Sequence, residues 1–214
     1  MNDEIVLYDY WRSSASYRLR IALNLKGLPF RRVPVDLTKG EHSAAPHLER
    51  NVQGFVPVLE IDGRMMSQSL ATIEYLEETR PEFPLLPSIS ADRQKVRALA
   101  HIVAMDIHPV CNPSVAFFAA GWRPDETEAR REWMQHFIAR GFDAMERQVT
   151  EGAPYCFDGT PGIADICLVP QIYNARRWGL DMAAYPKLSK IEENCLAIPA
   201  FAKAAPDEMA EAIL

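Results

Sequence analysis

The spacing of apolar residues divides this chain into a first part that mixes strands and helices and a second part that reads as helix throughout. Ile5 to Tyr10 is a β-type run, and the hydroxyls after it open a helix over Ser14 to Lys26, with Gly27 and Pro29 as its stop. Phe30 to Val35 reads as the next strand. Thr38 to Gln53 is polar, holds Gly40 and Pro46, and predicts loop with short helical turns. Val56 to Ile61 is a strand, Asp62-Gly63 a hairpin turn, and Met65-Met66 the start of the partner strand. From Ser69 to Glu78, Leu70, Ile73 and Leu76 recur at helical spacing. The order βαβ, hairpin, helix predicts one sheet with both parallel and antiparallel pairs.

Prolines at 81, 84 and 87 cannot continue that helix, so 81–88 reads as a linker between a first domain, 1–80, and a second, 89–214. Beyond the linker no strand pattern stands out. Ala91 to about Met105 is amphipathic, and Pro109 and Pro113 should kink or break its continuation. Thr127 to Val149 is a long helix carrying Trp133, Phe137, Ile138, Phe142 and Met145. Ile163 to Trp178 stops at Gly179, and Tyr185-Pro186 opens one more helix that closes near Pro199. The expected architecture is an α/β, thioredoxin-like first domain followed by an all-α bundle.

Composition narrows the function classes. At 214 residues the chain can bury a real core, and 48% hydrophobic with 24% charged residues is ordinary for a globular protein. A net charge of -6 argues against nucleic acid or an anionic membrane as main partner. No apolar run approaches the roughly 18 residues of a membrane span. The acidic start, Met1 to Glu4, leads into a strand and does not read as a signal peptide. Cys111, Cys156, Cys167 and Cys195 are scattered, with no C-x-x-C and no metal-ligand spacing, which suits a reducing cytosol.

The stretch richest in chemistry is Arg12-Ser13-Ser14-Ala15, where a strand gives way to a helix. A serine there is a good N-cap, and a helix N-terminus also attracts anions through its unpaired N–H groups and dipole. The turn lacks G-x-G-x-x-G, so a dinucleotide is not expected. An ionised thiol would be stabilised at this place, yet no cysteine lies in the segment; a plain cap and a thiolate site fed by a cofactor both remain open.

Arg12-Ser13-Ser14 followed by Arg18-Leu19-Arg20-Ile21-Ala22-Leu23 resembles the signature R-S-S-C-S-W-R-V-R-I-A-L of zeta-class glutathione transferases, the family of maleylacetoacetate and maleylpyruvate isomerases. Further matches are Gln68-Ser69-Leu70-Ala71, Glu74 to Pro81 and Leu168-Val169-Pro170-Gln171, so the likeness spans nearly the whole chain. It departs at Ala15, where the family carries cysteine.

The resemblance implies the glutathione transferase fold, glutathione as cofactor, and a cytoplasmic homodimer acting on a small unsaturated dicarboxylic acid in aromatic degradation. It implies thiolate addition, rotation and elimination as the reaction, with Ser13 stabilising the thiolate and Ser14 supporting it. It places Ser13, Ser14, Ala15, His42, Val56, Pro57, Gln68, Ser69, His108 and Asn112 around glutathione, with a cis Val56–Pro57 bond that frees the Val56 backbone for the tripeptide. Arg12 and Arg177 would hold carboxylates, since guanidinium grips carboxylate in a fork. Each has a plainer reading. Pro57 is an edge-strand proline, Gln68-Ser69 a helix cap, His42 a solvated loop residue, His108 and Asn112 polar groups beside a kink, and Arg177 a complement to a helix C-terminus. Gly162-Ile163-Ala164-Asp165 matches the superfamily's S/T-x-x-D folding cap with Gly in place of the hydroxyl, at a cost of a few tenths of a kcal/mol. Dehalogenation of small α-halo acids by the same thiolate, and a non-catalytic transferase-like assembly module, are the alternatives.

Overall fold

The computed structural model describes residues 4–209. The chain forms two compact units, one holding the chain up to Pro84 together with the segment from Ile198 on, the other running from Leu85 to Ala197.

In the first unit β1 (Val6–Asp9), α1 (Ser14–Leu25) and β2 (Arg31–Pro34) form the βαβ element, with β1 and β2 parallel and Val6 opposite Arg31. A short α2 (Ala45–Leu48) lies in the polar stretch. β3 (Val58–Ile61) and β4 (Arg64–Met66) form the hairpin, followed by α3 (Ser69–Thr79). The sheet order is β2-β1-β3-β4, with β3 antiparallel to both neighbours. The mixed sheet follows from the connections: a helix crossover permits a parallel pair, and the tight turn at Asp62-Gly63 forces an antiparallel one. The third strand starts at Val58, two residues later than its apolar run suggests, because the Val56–Pro57 peptide is cis and turns the chain just before the ladder.

Ten residues of α1 are buried, among them Arg18 and Arg20. Arg20 donates to Asp9 at 2.6 Å, and Arg32 of β2 donates to the other oxygen of Asp9 at 2.8 Å. The final segment also reaches α1. Tyr17, Arg20 and Asn24 donate to the carbonyls of Phe201, Ala204 and Ala200. This differs from the sequence reading, which left everything from 89 to 214 in the helical domain; residues from 198 join the first unit, through side chains of α1 that bind backbone oxygen.

The second unit begins inside the stretch read as linker. Leu85 and Leu86 are buried in it, and the Leu85 carbonyl accepts from Ile163 N–H at 3.0 Å. Its helices are α4 (Ser90–His101), which continues as a π-helical segment Ile102–Ile107, α5 (Pro113–Ala120), α6 (Glu126–Gln148), α7 (Ile163–Arg177) and α8 (Pro186–Leu196). A further short helix, α9 (Pro199–Ala202), belongs to the first unit. The break expected at Pro109 and Pro113 is present: the helix and its π-helical continuation stop at Ile107, and α5 begins afresh at Pro113. Proline at the start of a helix loses only an N–H that has no intrahelical partner, and Asn112 caps it.

Gly162 at the start of α7 has a steric cause. A Cβ there would lie 2.6 Å from the Leu85 carbonyl oxygen, while Asp165 closes the turn by accepting from Gly162 N–H at 2.9 Å and Cys156 N–H at 2.8 Å. Gly162→Ser, which restores the family's hydroxyl, should therefore destabilise the protein by about 1–3 kcal/mol, read as a lower urea midpoint; an unchanged or raised midpoint would contradict this account.

The hairpin turn is tied to the end of α3. Arg80 donates to both oxygens of Asp62, and Tyr75 donates its hydroxyl to the same carboxylate. The Arg80 bonds, then that of Tyr75, hold Asp62 at about 2, below its ordinary 3.8. A lowered carboxylate pKa gives stability that is complete above the unfolded value and is lost as pH falls through the folded one. The clamp should weaken between pH 4 and 2. Because Asp62 is half exposed, solvent screening keeps its worth below about 1 kcal/mol. Asp62→Asn should flatten that acid limb of the unfolding curve, measured as midpoint against pH.

Candidate active site

The end of β1 and the start of α1 are fixed by backbone turns and by Arg20. Ser13 N–H donates to the Tyr10 carbonyl, and the Trp11 carbonyl accepts from Arg20 Nη2 at 2.8 Å. Ser13 is the N-cap of α1, with extended backbone, and its Oγ accepts from Ser16 N–H at 3.2 Å. A serine oxygen that accepts from the helix still has its own proton to donate. Ser13 and Ser14 are half-buried, Ala15 is buried, and the guanidinium of Arg12 stacks over Trp11 at 5.1 Å.

The chain before Pro57 is held by two side chains that the sequence reading did not single out. His47 Nε2 lies 3.0 Å from the Phe55 carbonyl, and Asn51 donates to the same oxygen at 2.9 Å. Nothing in the local pattern marks them, because their target is a backbone oxygen. The cis Val56–Pro57 bond agrees with the resemblance. Among the described residues the Val56 N–H and carbonyl have no backbone partner. His42 sits half-buried in a short 3₁₀ turn, with Nδ1 buried and unpartnered.

Gln68 and Ser69 depart from a simple cap. Gln68 takes the N-cap position of α3 with φ 67, a left-handed value unusual for a side-chain-bearing residue, and makes no side-chain cap. Its amide instead donates to Gln53 at 3.0 Å. Ser69 is the first helical residue and is buried, and its Oγ accepts from Arg18 Nη1 at 3.3 Å. Arg18 lies one helical turn on from Ser14, so the starts of α1 and α3 share a buried guanidinium.

Three candidates lie in the second unit. His108 follows the π-helical segment, its N–H bonded to the Val103 carbonyl. The Asn112 side-chain oxygen accepts from Ser114 N–H and hydroxyl as the cap of α5, which leaves its amide N–H groups as donors. Arg177 is exposed at the end of α7, beside Arg176, which pairs with Glu192 at 2.6 Å.

The site has no nucleophilic thiol of its own. All four cysteines are buried, and burial pushes Cys111 up to about 12 and Cys156 and Cys195 upward as well. The residues present nevertheless suit a tripeptide thiol: a serine donor at one helix start, a Val56 backbone with no backbone partner among the described residues, and a helix start with a buried first residue and no side-chain cap. A carboxylate is favoured at such an end.

Residues 12–79 match the model of the glutathione S-transferase N-terminal domain, and residues 127–190 that of the C-terminal domain. The chain is 56% identical to the maleylacetoacetate isomerase of Rhizobium meliloti (strain 1021) over 97% of this chain and 98% of the relative. It superposes on the holo structure of a maleyl pyruvate isomerase, a bacterial zeta-class glutathione S-transferase, with TM-score 0.93, 40% identity and coverage of 96% and 99%. It also matches a maleylacetoacetate isomerase from Anaeromyxobacter dehalogenans 2CP-1 with dicarboxyethyl glutathione and citrate in the active site, with TM-score 0.87, 42% identity and coverage of 98% and 94%. The chain belongs to the glutathione S-transferase family, in its zeta class.

If Ser13 caps α1, Ser13→Ala should cost about 1 kcal/mol of stability while Ser13→Asn, another good cap, costs less. Equal urea midpoints for the natural protein and Ser13→Ala would remove the cap.

Proposed function

We propose that this chain is a glutathione-dependent cis–trans isomerase of a maleyl keto acid, maleylacetoacetate or maleylpyruvate. The observation that carries the reading is the start of α3, buried yet without a side-chain cap, with Ser69 held by Arg18. The likeness to maleylacetoacetate and maleylpyruvate isomerases over nearly the full length supports it. In this reading the first unit binds glutathione and the helical unit from Leu85 to Ala197 bears the acid site. The protein works as a homodimer in the cytoplasm.

Bound glutathione supplies a thiolate that adds to the polarised double bond and leaves once that bond has turned. Ser13 donates its hydroxyl to the thiolate, and Ser14 supports it. Ala15 lines the same turn. The Val56 backbone, set by Pro57, pairs with the cysteinyl portion. Gln68 and Ser69 take the γ-glutamyl carboxylate, and His42 lies at the glycyl end. Arg12 and Arg177 grip the carboxylates of the acid and steady the negative charge that develops on it. Lowering a thiol pKa by about two units takes roughly 2.7 kcal/mol of preference for the thiolate. One charge-assisted hydrogen bond and a helix end reach that size.

An alanine cannot donate, ionise or form a mixed disulfide, so isomerisation here proceeds with no thiol at position 15. Incubation with maleylpyruvate, maleylacetoacetate and dichloroacetate in parallel, followed by NMR, should show the trans isomer from a maleyl acid with glutathione unconsumed. Ser13→Ala should raise the pKa of bound thiol by about one unit or more and cut turnover at least roughly tenfold near neutral pH. Consumption of dichloroacetate alone would replace the isomerase by a dehalogenase. No retention on immobilised glutathione would leave only the assembly module.

A further inference from the structure

Arg18 carries a charge into a position almost out of reach of water. It lies on α1 between apolar neighbours, is almost fully buried, and sends Nη1 to the hydroxyl oxygen of Ser69 at 3.3 Å, across 51 residues of chain. Apolar side chains of that length are available to fill such a position without carrying a charge out of water.

We infer that Arg18 is a positioning residue for the glutathione site: it acts through Ser69 to make the start of α3 selective for the α-carboxylate of the γ-glutamyl residue. The inference rests on the reading that Gln68 and Ser69 bind that carboxylate. A serine hydroxyl has one proton and can accept two hydrogen bonds. By giving an N–H to the Ser69 oxygen, Arg18 occupies an accepting side and directs the hydroxyl proton away from itself. Successive hydrogen bonds polarise one another, so Ser69 becomes a stronger donor. Being buried, the guanidinium is weakly screened. An anion at the first turn of α3 meets the helix end, a polarised hydroxyl and a fixed cation aligned behind it.

The side chain never touches the ligand in this scheme, which separates it from a second carboxylate fork. It also links the two ends of the tripeptide site. Arg18 stands one turn from Ser14 on α1, so the helix that stabilises the thiolate also orients the group that receives the γ-glutamyl end.

Calorimetry on the full chain can separate this from a purely structural role. The ligands are glutathione and 4-aminobutyryl-cysteinylglycine, which lacks only the γ-glutamyl α-carboxylate. Arg18→Met should weaken glutathione roughly tenfold or more while leaving the analogue within about twofold. Ser69→Ala should do the same, and the double variant should be no more than about twofold worse than Ser69→Ala alone, as for two residues acting in series. Equal losses for both ligands, or losses that multiply in the double variant, overturn the inference. Ser69→Ala with full glutathione affinity strikes instead at the assignment of Gln68 and Ser69, and the inference falls with it. Should Arg18→Met fail to fold, Arg18→Gln, which keeps a donor without the charge, goes through the same cycle under the same criteria.

Discussion

The first unit depends on one buried carboxylate. Asp9, at the end of β1, is fully enclosed and is held by Arg20 from α1 and by Arg32 from β2. Burial pulls the Arg20 guanidinium down, and Asp9 opposes it. The same guanidinium binds the carbonyls of Trp11 and Ala204, so one charge cluster joins two strands, a helix, the turn before Ser13 and the returning final segment. A buried ion pair gives little net stability against well-packed apolar residues, but removing one member costs about 3–5 kcal/mol. What the cluster provides is position. Ser13 stands where it does because the carbonyl two residues before it is tied to Arg20.

The helix starts then divide by what satisfies them. Ser13 serves α1, Asn112 serves α5, Asp165 serves α7, and Glu146 accepts from the N–H groups of Lys187 and Leu188 at the start of α8. α4 and α6 lack a side-chain cap, but they begin at exposed residues, Ser90 and Glu126, where water can reach the free N–H groups. α3 alone among these combines an uncapped start with a buried first residue, and its N-cap adopts a strained backbone. An anion placed at such a start would meet both the free N–H groups and the helix dipole.

Elements whose signals are local were legible in the sequence. The Asp62-Gly63 hairpin, the serine cap of α1 and the periodic face of α3 each rest on a few adjacent residues. The break at Pro109 and Pro113 was legible too, but not that a new helix, α5, starts at Pro113, because a proline that breaks a helix in its interior can also start one at its first turn. The second unit's beginning at Leu85 was hidden by the prolines around it. Contacts to backbone oxygen were silent altogether: His47 and Asn51 on Phe55, and Tyr17, Arg20 and Asn24 on the final segment, bind a group that every residue carries. Arg18 and Arg20 did leave a trace, as two charges inside an apolar helix, but the spacing alone does not say that one faces Asp9 and the other Ser69.

Ala15 shows how the chain divides labour with its cofactor. The buried cysteines have thiols pushed upward, and the turn that would stabilise a thiolate carries a methyl where relatives of the zeta class usually have sulfur. The protein therefore contributes donors, dipoles and cations, all of which favour negative charge at fixed points, while the nucleophile is left to a diffusible tripeptide. With Ser13 in its proposed role, that arrangement needs the tripeptide held at both ends, so that its thiol arrives already oriented. The Val56 backbone and the start of α3 lie in the same unit as Ser13, and Arg18 couples α3 to α1. On the proposed function, orientation of the sulfur and recognition of the γ-glutamyl end would share one buried framework anchored at Asp9 and Ser69.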